Sequence, residues 1–565
     1  MRTIFLLLTV FTTTLFFGQK KYPTKDFRNP LGIKTVLAGT FGELRSNHFH
    51  AGLDIKTQRK EGFKVYAAAD GYVSRIKVAL WGYGKVIYIT HPNGYTTVYA
   101  HVKKFGKGIE EFVKSIQYKK ESYETGNIFP KKGQIPIKKG QVIAYSGSTG
   151  GFVAPHLHYE IRDTKTEKII NPFLFGLKVK DTISPTIRGL FVYPLADSSR
   201  INKSIKKSLL AFKSIGKNVY KTNRITAKGP IGFGLQVFDR LNGANNKNGI
   251  YSLQMKVNGH KVYHHEMETF SFATSKHINL LIDYENYARF KNKFQKTFKD
   301  KSSKLKIYKS LLNNGVINIK NGFNYNVEII ASDFAGNKTT IKIPIKGVQS
   351  NAIFRQAKDT TAYKITASKF NKFEQNGVTI AFPKNTFYND FYLDFKVEND
   401  IAIIHKPRIP LDKSYTLTFD VSKYSEEEKQ QLYIANINNK KYPSHQNTRK
   451  KGNKAYTTTK SLGKYTLLFD KQKPTINLRR FKSGQWISKH SKIVVKIEDR
   501  QTGVKSYRAT LDGEWILMEY DLKKKQIVYD FKDKKLVGAK HQLKIEVEDN
   551  VGNTNTLSAT FYKKE

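Results

Sequence analysis

The chain has 565 residues, and at about 150 residues per domain this length predicts about four domains rather than one core. Hydrophobic residues make up 39% and aromatic residues 13%, which excludes a globally disordered chain, and the absence of cysteine excludes disulfide scaffolds, thiol catalysis and cysteine-ligated metals. The excess of 98 Lys and Arg over 46 Asp and Glu gives a net charge of +52, which predicts an anionic partner unless it reflects a lysine-rich composition alone.

The first residues have the pattern of an export signal. Arg2 precedes an almost unbroken apolar run from Ile4 to Phe17, which is shorter than the roughly 20 residues that span a bilayer. We therefore expect residues 1–18 to be a cleaved signal peptide, with no stable membrane span in the mature protein. The location would be the periplasm, the cell envelope or the outside of the cell, where anionic envelope polymers are better candidate partners than nucleic acid.

The rest of the chain is predicted to be mostly β. Strand-like runs alternate with Gly, Asn and Pro, as in residues 85–99, where a His-Pro-Asn-Gly turn joins two strands in a hairpin pattern. Helical periodicity is limited to residues 108–123 and the region around 281–311.

Histidines with a carboxylate form three clusters near the N-terminus. His50 and Asp54 are four residues apart, and we expect Gly52 between them to leave room for a bound ion. His156 and His158 would project from the same face of a strand, and His101 stands at the end of the predicted strand 95–100. Two imidazoles and one carboxylate with an open coordination position are typical of a catalytic site for one zinc ion. A two-histidine, one-carboxylate iron oxygenase is an alternative, but its usual His-x-Asp spacing is absent.

Residues 40–163 resemble the lysostaphin-type (LytM) zinc metalloendopeptidases, which cleave peptidoglycan. The resemblance lies in six segments: 47–54, 65–73, 82–91, 94–101, 140–150 and 155–160. It implies an antiparallel β-sheet peptidase domain that binds peptidoglycan stem peptides. It further implies that His50, Asp54 and His158 hold the zinc ion, and that His101 and His156 are the catalytic pair.

Five nearby residues have other interpretations. His48 stands where many members have Arg, and we expect it near the cleft rather than on the metal, while His91 opens a turn. Glu160 could orient a metal ligand or lie on the strand surface. Phe152 and Ala154 stand where family members often have Ser and Gly, so the family pattern does not determine the shape of the substrate cleft around Phe152.

The segment between His101 and Gly140 is longer than the minimal family pattern requires. We predict an insertion at residues 103–138, and the hypothesis is that it forms a partial lid over the cleft, against the alternative of a plain surface excursion.

An internal repeat divides the remaining chain. Residues 181–187 match 470–476, Asp239-Arg240 matches Asp499-Arg500, 249–252 matches 503–506, and both copies end in an Asp-x-x-Gly-Asn turn at 333–337 and 549–553. Those turns could bind calcium, although turn formation alone accounts for two oxygens at a tight turn. The repeat predicts two related immunoglobulin-like β-sandwiches.

The predicted organisation is therefore a peptidase domain followed by three β domains. After the signal peptide we expect the peptidase domain at 19–180, a sandwich with a lysine-rich insertion at 181–348, a β domain at 349–469 and a sandwich at 470–565. The predicted function is that of an exported zinc endopeptidase that hydrolyses peptidoglycan cross-links. The alternative is a module that binds the wall or an amidase partner without cutting.

Overall fold

The computed structural model describes residues 22–151, 154–349 and 360–564. The predicted signal peptide and Phe152 lie outside the described residues. Four large clusters of buried apolar side chains lie along the described chain. We refer to residues 22–180, 181–348, 360–469 and 470–564 as the first to fourth domains. The chain is mostly β, as predicted.

The first domain is built on two antiparallel sheets. The larger has the strand order β1-β2-β11-β6-β5-β4-β8, and the smaller has the order β3-β10-β7. Their elements are β1 Leu37–Gly39, β2 Leu53–Lys56, β3 Lys64–Tyr66, β4 Gly71–Val78, β5 Val86–Thr90, β6 Tyr95–Ala100, β7 Val102–Phe105, α1 Lys107–Lys120, β8 Gly126–Ile128, β9 Pro136–Ile137, β10 Val142–Ser146, β11 His156–Asp163 and β12 Ile169–Ile170. The predicted hairpin is present as β5 and β6.

The second domain contains the insertion and most of the short helices. Its elements are β13 Thr186–Pro194, β14 Arg200–Ile201, β15 Ser208–Leu209, β16 Phe212–Gly216, β17 Val219–Thr222, β18 Ile225–Phe238, β19 Ser252–Val257, β20 His260–Glu266, β21 Thr269–Phe270, α2 Phe272–Ser275, α3 Ile278–Leu281, α4 Tyr284–Phe290, β22 Gln295–Lys296, β23 Tyr308–Leu311, β24 Ile317–Ile319, β25 Asn324–Ser332 and β26 Lys338–Gly347. The predicted helical region around 281–311 is wrong beyond Phe290, because the chain there pairs with existing strands.

The third and fourth domains are also β-rich. The third contains β27 Tyr363–Ile365, β28 Asn371–Gln375, β29 Val378–Phe382, β30 Phe391–Leu393, β31 Phe395–Glu398, β32 Ile401–Ile404, β33 Tyr415–Asp420, α5 Glu426–Gln431, β34 Leu432–Asn436, β35 Ser444–His445, β36 Arg449–Lys451, β37 Lys454–Thr459 and β38 Gly463–Phe469. The fourth contains β39 Thr475–Arg479, β40 Lys492–Glu498, β41 Val504–Leu511, β42 Glu514–Trp515, β43 Glu519–Asp521, β44 Gln526–Asp530, β45 Lys540–Asp549 and β46 Thr554–Tyr562. Two four-stranded sheets enclose the core of the fourth domain.

The two repeat copies share their strand pairing. In the second domain β13 pairs with β18, and β25 pairs with both β19 and β26. In the fourth domain β39 pairs with β40, and β45 pairs with both β41 and β46. The matching sequence segments therefore occupy matching places in the two domains. Their assignment as immunoglobulin-like stays a prediction.

The second domain is joined to the first through its insertion. Strand β21 extends the larger sheet of the first domain by pairing with β12. The ring of Phe270 lies 4.8 Å from that of Phe41 and 5.3 Å from that of Phe49, and the backbone N–H of Phe49 donates to the Ser275 hydroxyl at 2.8 Å. The ring contacts are apolar, and all four residues are buried. The ring contacts and the hydrogen bond together fix the insertion against the first domain.

The predicted insertion at 103–138 contains α1, and this helix faces the fourth domain. Ile109, Val113 and Gln117 recur every four residues and are buried, as expected for one face of a helix. The ring of Tyr118 lies 5.2 Å from that of Trp515, and Leu517 is 1% exposed within the core cluster of the first domain. The helix therefore serves as a docking surface for the last domain, while the lid hypothesis stays a prediction.

Among the residues that the structure describes, no helix combines the length and apolar character needed to cross a bilayer.

Candidate active site

Three neighbouring strands bring the predicted site residues together. Strand β11 lies between β2 and β6, and in its register His158 stands opposite Asp54 on one side and Ala100 on the other. His101 follows Ala100 directly, and His156 lies two residues before His158 on the same face of β11. The strand order therefore gathers at one point residues that are more than 100 positions apart in sequence.

The three predicted ligands converge on a common point. His50 Nε2 and His158 Nδ1 each lie 2.9 Å from Asp54 Oδ1, and the two ring nitrogens lie 3.2 Å from each other. All three side chains are largely shielded from solvent, with exposed fractions of 8%, 13% and 4% for His50, Asp54 and His158. The described residues thus contain a compact group of two imidazoles and one carboxylate.

The opposite nitrogen of each imidazole fixes its tautomer. His50 Nδ1 lies 2.8 Å from the carbonyl oxygen of Thr40, and His158 Nε2 lies 2.8 Å from Glu160 Oε1. Both partners can only accept, so these nitrogens carry protons, and the facing nitrogens are the ones that can coordinate a metal. Burial would lower the pKa of His158, but Asp54 and Glu160 raise it to about 9, so without a metal a proton lies between His158 and Asp54. A cation can take the place of this proton. The donor set therefore fits a zinc ion, with histidines oriented as metal ligands usually are.

His101 and His156 are held in the same manner beside this group. His101 Nδ1 donates to the carbonyl oxygen of Thr149 at 2.8 Å, and His156 Nδ1 donates to that of Ala154 at 2.8 Å. Their ring centroids lie 4.8 Å apart, and His156 Nε2 is 3.4 Å from Asp54 Oδ1. Each ring is left with Nε2 as the nitrogen that can take up or deliver a proton in the site.

His101 has an unusual backbone conformation. Its φ is +61°, in the left-handed region that residues with a Cβ rarely adopt. The residue lies between β6, which belongs to the larger sheet, and β7, which belongs to the smaller one. The left-handed turn redirects the chain between the sheets, and backbone strain of this kind is common at functional sites.

Burial and neighbouring groups set the protonation of the site. Burial, together with the His158 and His156 rings, lowers the pKa of His101 to about 3, so His101 is neutral at neutral pH. Burial would raise the pKa of Asp54, but the three surrounding imidazoles hold this pKa well below its usual value. The site thus combines an ionised carboxylate with a neutral imidazole that can accept a proton.

Glu160 is a buried partner of the metal group, and the interpretation of it as a surface carboxylate is wrong. It is 0% exposed, because β11 is covered on both faces. In addition to its contact with His158, its carboxylate accepts hydrogen bonds from the Tyr83 hydroxyl and from Arg162 Nε, the latter at 2.7 Å. Burial would raise the pKa of Glu160, but Arg162 and His158 lower it to about 2. Glu160 therefore stays ionised and holds the ring of His158 in place.

Gly52 has a different role from the one expected. The sequence suggested that it leaves room for an ion, but a Cβ at this position would collide with the carbonyl oxygen of Tyr159. Gly52 thus permits close approach of the chain to β11. In addition, the extended segment begins only at Leu53, so a turn rather than a continuous strand brings His50 to Asp54.

A cleft of about 530 Å³ adjoins the site. Asp54 and His156 line it together with three basic residues of the first domain, which are Arg45, Lys56 and Arg59. Arg45 Nη2 also contacts Asp54 Oδ2 at 3.0 Å, a role that the sequence did not reveal. The second domain contributes Asn246 to the lining. The cleft is therefore basic and is completed by a neighbouring domain.

The remaining candidate histidines lie outside the metal group. His48 is exposed and contacts Asn47 Oδ1 at 2.8 Å. His91 is buried, with Nδ1 2.7 Å from the carbonyl oxygen of Asp70 and Nε2 2.7 Å from the Thr97 hydroxyl. Both ring nitrogens of His91 are thus used in holding the hairpin turn.

The fold and the site define a β-sheet domain with a candidate His-Asp-His metal centre and two adjacent histidines. Residues 48–118 match Peptidase family M23, and residues 362–470 match the Zu5-like domain. The first domain of the chain belongs to this peptidase family, as the sequence motifs predicted.

Two similar proteins match a limited part of the chain. The DD-carboxypeptidase/endopeptidase Mpg of Neisseria gonorrhoeae is 34% identical over 135 residues, which are 23% of this chain and 25% of the relative. The peptidoglycan DD-endopeptidase ShyB of Vibrio cholerae is 32% identical over 112 residues, covering 20% of each protein. The chain thus matches a quarter or less of the length of these relatives.

Among solved structures, the catalytic domain of the antimicrobial peptidase lysostaphin from Staphylococcus simulans is similar to part of the chain. The match has 22% identity and a TM-score of 0.18, and covers 24% of this chain and 87% of lysostaphin's domain.

Proposed function

We propose that the protein is an exported zinc-dependent endopeptidase that hydrolyses the peptide cross-links of bacterial peptidoglycan. The observation that carries the proposal is the convergence of His50 Nε2, Asp54 Oδ1 and His158 Nδ1 beside two tethered histidines. The names of the relatives support peptidoglycan as the substrate. One is named a peptidoglycan DD-endopeptidase and another a DD-carboxypeptidase/endopeptidase.

The metal group and the histidine pair divide the chemistry between them. Zinc bound by His50, Asp54 and His158 would supply Lewis-acid chemistry, which acidifies water and polarises a carbonyl. His101 is neutral at neutral pH because burial lowers its pKa to about 3, and its Nδ1 is engaged with Thr149, so Nε2 is the nitrogen that faces the site for proton exchange. The assignment of general base and general acid between His101 and His156 stays open.

The cleft suits a peptide that carries carboxylates. Arg45, Lys56 and Arg59 line it, and guanidinium and ammonium groups attract carboxylates in a partly enclosed cleft. Peptidoglycan stem peptides have such groups. The basic lining therefore favours this substrate class over an apolar peptide.

Single substitutions separate the two groups of residues. We expect His50→Ala, Asp54→Ala and His158→Ala to lose both zinc and activity, because two remaining ligands give too few donors. We expect His101→Ala and His156→Ala to retain zinc and to lose activity by roughly 100- to 10,000-fold, because only proton transfer is removed. The measurements are metal content and the peptides released from isolated wall material, identified by mass.

His48→Ala is the matched control, since His48 is an exposed histidine next to the site. It should keep zinc and activity near the wild-type values. Chelation should abolish the wild-type activity and added zinc should restore it. A wild-type protein that binds one zinc ion but releases no peptide from any wall type would instead be a wall-binding or amidase-activating module.

A further inference from the structure

The second and fourth domains each contain a triad of aspartates. One carboxylate oxygen from each of Asp181, Asp239 and Asp333, which we call the first aspartate triad, lies within 4.8 Å of the others. Asp470, Asp499 and Asp549, the second aspartate triad, are arranged in the same way. The internal repeat matches the two triads residue by residue. The carboxylates thus occur twice at corresponding positions of two related domains, which makes a chance surface cluster a poor explanation.

The first triad is a concentration of negative charge without a compensating base. Among the residues that the structure describes, no ion pair reaches any of its three carboxylates, although the chain has 98 Lys and Arg. Burial, with the neighbouring Asp181 and Asp333, raises the pKa of Asp239 to about 8. Clustered carboxylates stay ionised at neutral pH if a cation or enough hydrogen-bond donors compensate their charge.

Two buried side chains at the first triad have polar atoms without partners. Asp239 is 3% exposed and its Oδ1 has no hydrogen-bond partner, and Asn248 is 2% exposed and neither polar atom of its side chain has one. The backbones of the two residues exchange hydrogen bonds at 2.9 and 2.8 Å, which places their side chains on the same face. Such atoms are rare in folded proteins and call for a ligand.

A small cavity lies at the same place. It has a volume of about 30 Å³, and its lining includes Asp181 and Asp239 of the triad and Thr40 and Asn171 of the first domain. A space of this size holds about one water molecule or one ion. Asp239, which carries an unpartnered oxygen, therefore adjoins a space that fits a single cation.

The second triad differs at one residue, and the difference is informative. In the repeat, Thr502 takes the place of Asn248, and its hydroxyl donates to Asp470 Oδ2 at 2.9 Å. Asp499 Oδ1 accepts three backbone N–H groups at 2.7 to 3.1 Å. Hydrogen-bond donors of the protein thus satisfy the second triad, and it serves as an internal comparison for the first.

We propose that the first aspartate triad binds one calcium ion, with Asn248 as a further oxygen ligand. All available donors are oxygens, which excludes a preference for zinc and favours a hard cation. Calcium suits the site better than magnesium, because carboxylates on three separate segments form an irregular set and magnesium demands near-ideal octahedral geometry.

The ion would stabilise the part of the second domain that lines the catalytic cleft. Asp239 begins the loop between β18 and β19, and Asn248 of the same loop forms an isolated bridge with it. Asn246 of this loop lines the cleft. Asp181 is the first residue of the second domain. Calcium would therefore tie the start of the domain to the loop that completes the cleft, so it acts on the cleft without belonging to the catalytic metal group.

Calorimetric titration of the full chain with calcium chloride, up to about 10 mM, tests the proposal over the range of known extracellular calcium sites. We expect one calcium ion per chain and a rise in the thermal unfolding midpoint. Asp239→Asn should weaken calcium binding by roughly tenfold or more, because it removes one ligand charge. Without calcium this variant should unfold at the same temperature as the wild type or higher, because it relieves repulsion between carboxylates.

Asp499→Asn in the second triad is the matched control and should bind calcium like the wild type. Asp333→Asn is a second test of the first triad if Asp239→Asn does not fold. The proposal is overturned if no calcium binds in this range, if Asp239→Asn and Asp333→Asn bind it normally, or if magnesium chloride gives an equal response. None of these measurements depends on peptidase activity.

Discussion

Glu160 is the residue whose role the structure changes most. It is fully buried, it stays ionised through Arg162 and His158, and it accepts a hydrogen bond from Nε2 of His158, a proposed metal ligand. A carboxylate in this position raises the basicity of the histidine and fixes its orientation. Glu160 is thus placed to support the proposed metal group without being one of its ligands.

We predict that Glu160→Gln lowers the zinc affinity of the protein by roughly 10- to 100-fold. The substitution keeps the size of the side chain but removes the charge that orients His158. Competition with a chromophoric chelator measures the affinity, and thermal unfolding of the zinc-free variant measures any structural loss separately.

Glu167→Gln is the control for this change. Glu167 Oε2 contacts Arg162 Nη1 at 2.9 Å, but Glu167 is about half exposed and has no contact with His158. Its substitution should leave zinc affinity unchanged. Equal affinities for Glu160→Gln and the wild type would contradict the role given to Glu160.

For single residues, the sequence identified the candidate site residues better than it identified the side chains that contact them. The spacing of His156 and His158 predicted that both project from one face of a strand, because side chains alternate with period two. That these two histidines meet His50 and Asp54 was implied by the resemblance to the peptidase family. Arg45 and Tyr83 were not found, since an arginine or a tyrosine carries no motif and its contact with the site depends on strand order. The left-handed backbone of His101 was equally invisible in the sequence.

At the scale of elements, α1 and the fourth domain form one unit with the first domain. Arg508 contacts Glu121 at 2.6 Å, but both side chains are about half exposed, so this pair adds little to stability. Leu517 is 1% exposed within the core of the first domain. Burial of Leu517 therefore contributes more to docking than this exposed ion pair does.

We predict that Leu517→Ala destabilises the protein by about 2 to 5 kcal/mol, because it removes buried methyl groups and leaves a cavity. The thermal unfolding midpoint should fall, and limited proteolysis should cleave between the third and fourth domains more readily.

The control is Val537→Ala in the same domain. Val537 is 87% exposed, so its truncation should change stability by no more than about 0.5 kcal/mol. If Leu517→Ala behaves like Val537→Ala, the fourth domain does not depend on this contact.

The elements also show where sequence reasoning has its limits. The hairpin of β5 and β6 and the helix α1 follow from turn residues and from four-residue periodicity, which are local signals. The region around 281–311 has helical composition, but from Gln295 its backbone pairs with β18 and β20. This segment forms strands because it pairs with strands that are distant in sequence. The local amino-acid composition carries no information about those partners.

For the whole molecule, the net charge of +52 is the dominant property. If it recruits anionic envelope polymers, we predict that binding to isolated wall material weakens steeply with added salt, because salt screens charges between exposed groups. Sedimentation of wall material with the protein across a salt series measures this.

Wall material stripped of anionic polymers is the control. It should retain only the salt-independent fraction of binding. Binding that is unchanged by salt on intact walls would show that the lysine excess is compositional.

The pairing of Lys85 with Glu519 has a consequence for the order of events during synthesis. Lys85 is 3% exposed in the first domain, and its Nζ lies 2.7 Å from Glu519 Oε1, a carboxylate 434 residues later. At translation rates of about 5 to 20 residues per second, this carboxylate is made roughly 20 to 90 seconds after the lysine. During that interval the first domain lacks the carboxylate that pairs with Lys85, so this contact between the first and fourth domains can form only when the chain is almost complete.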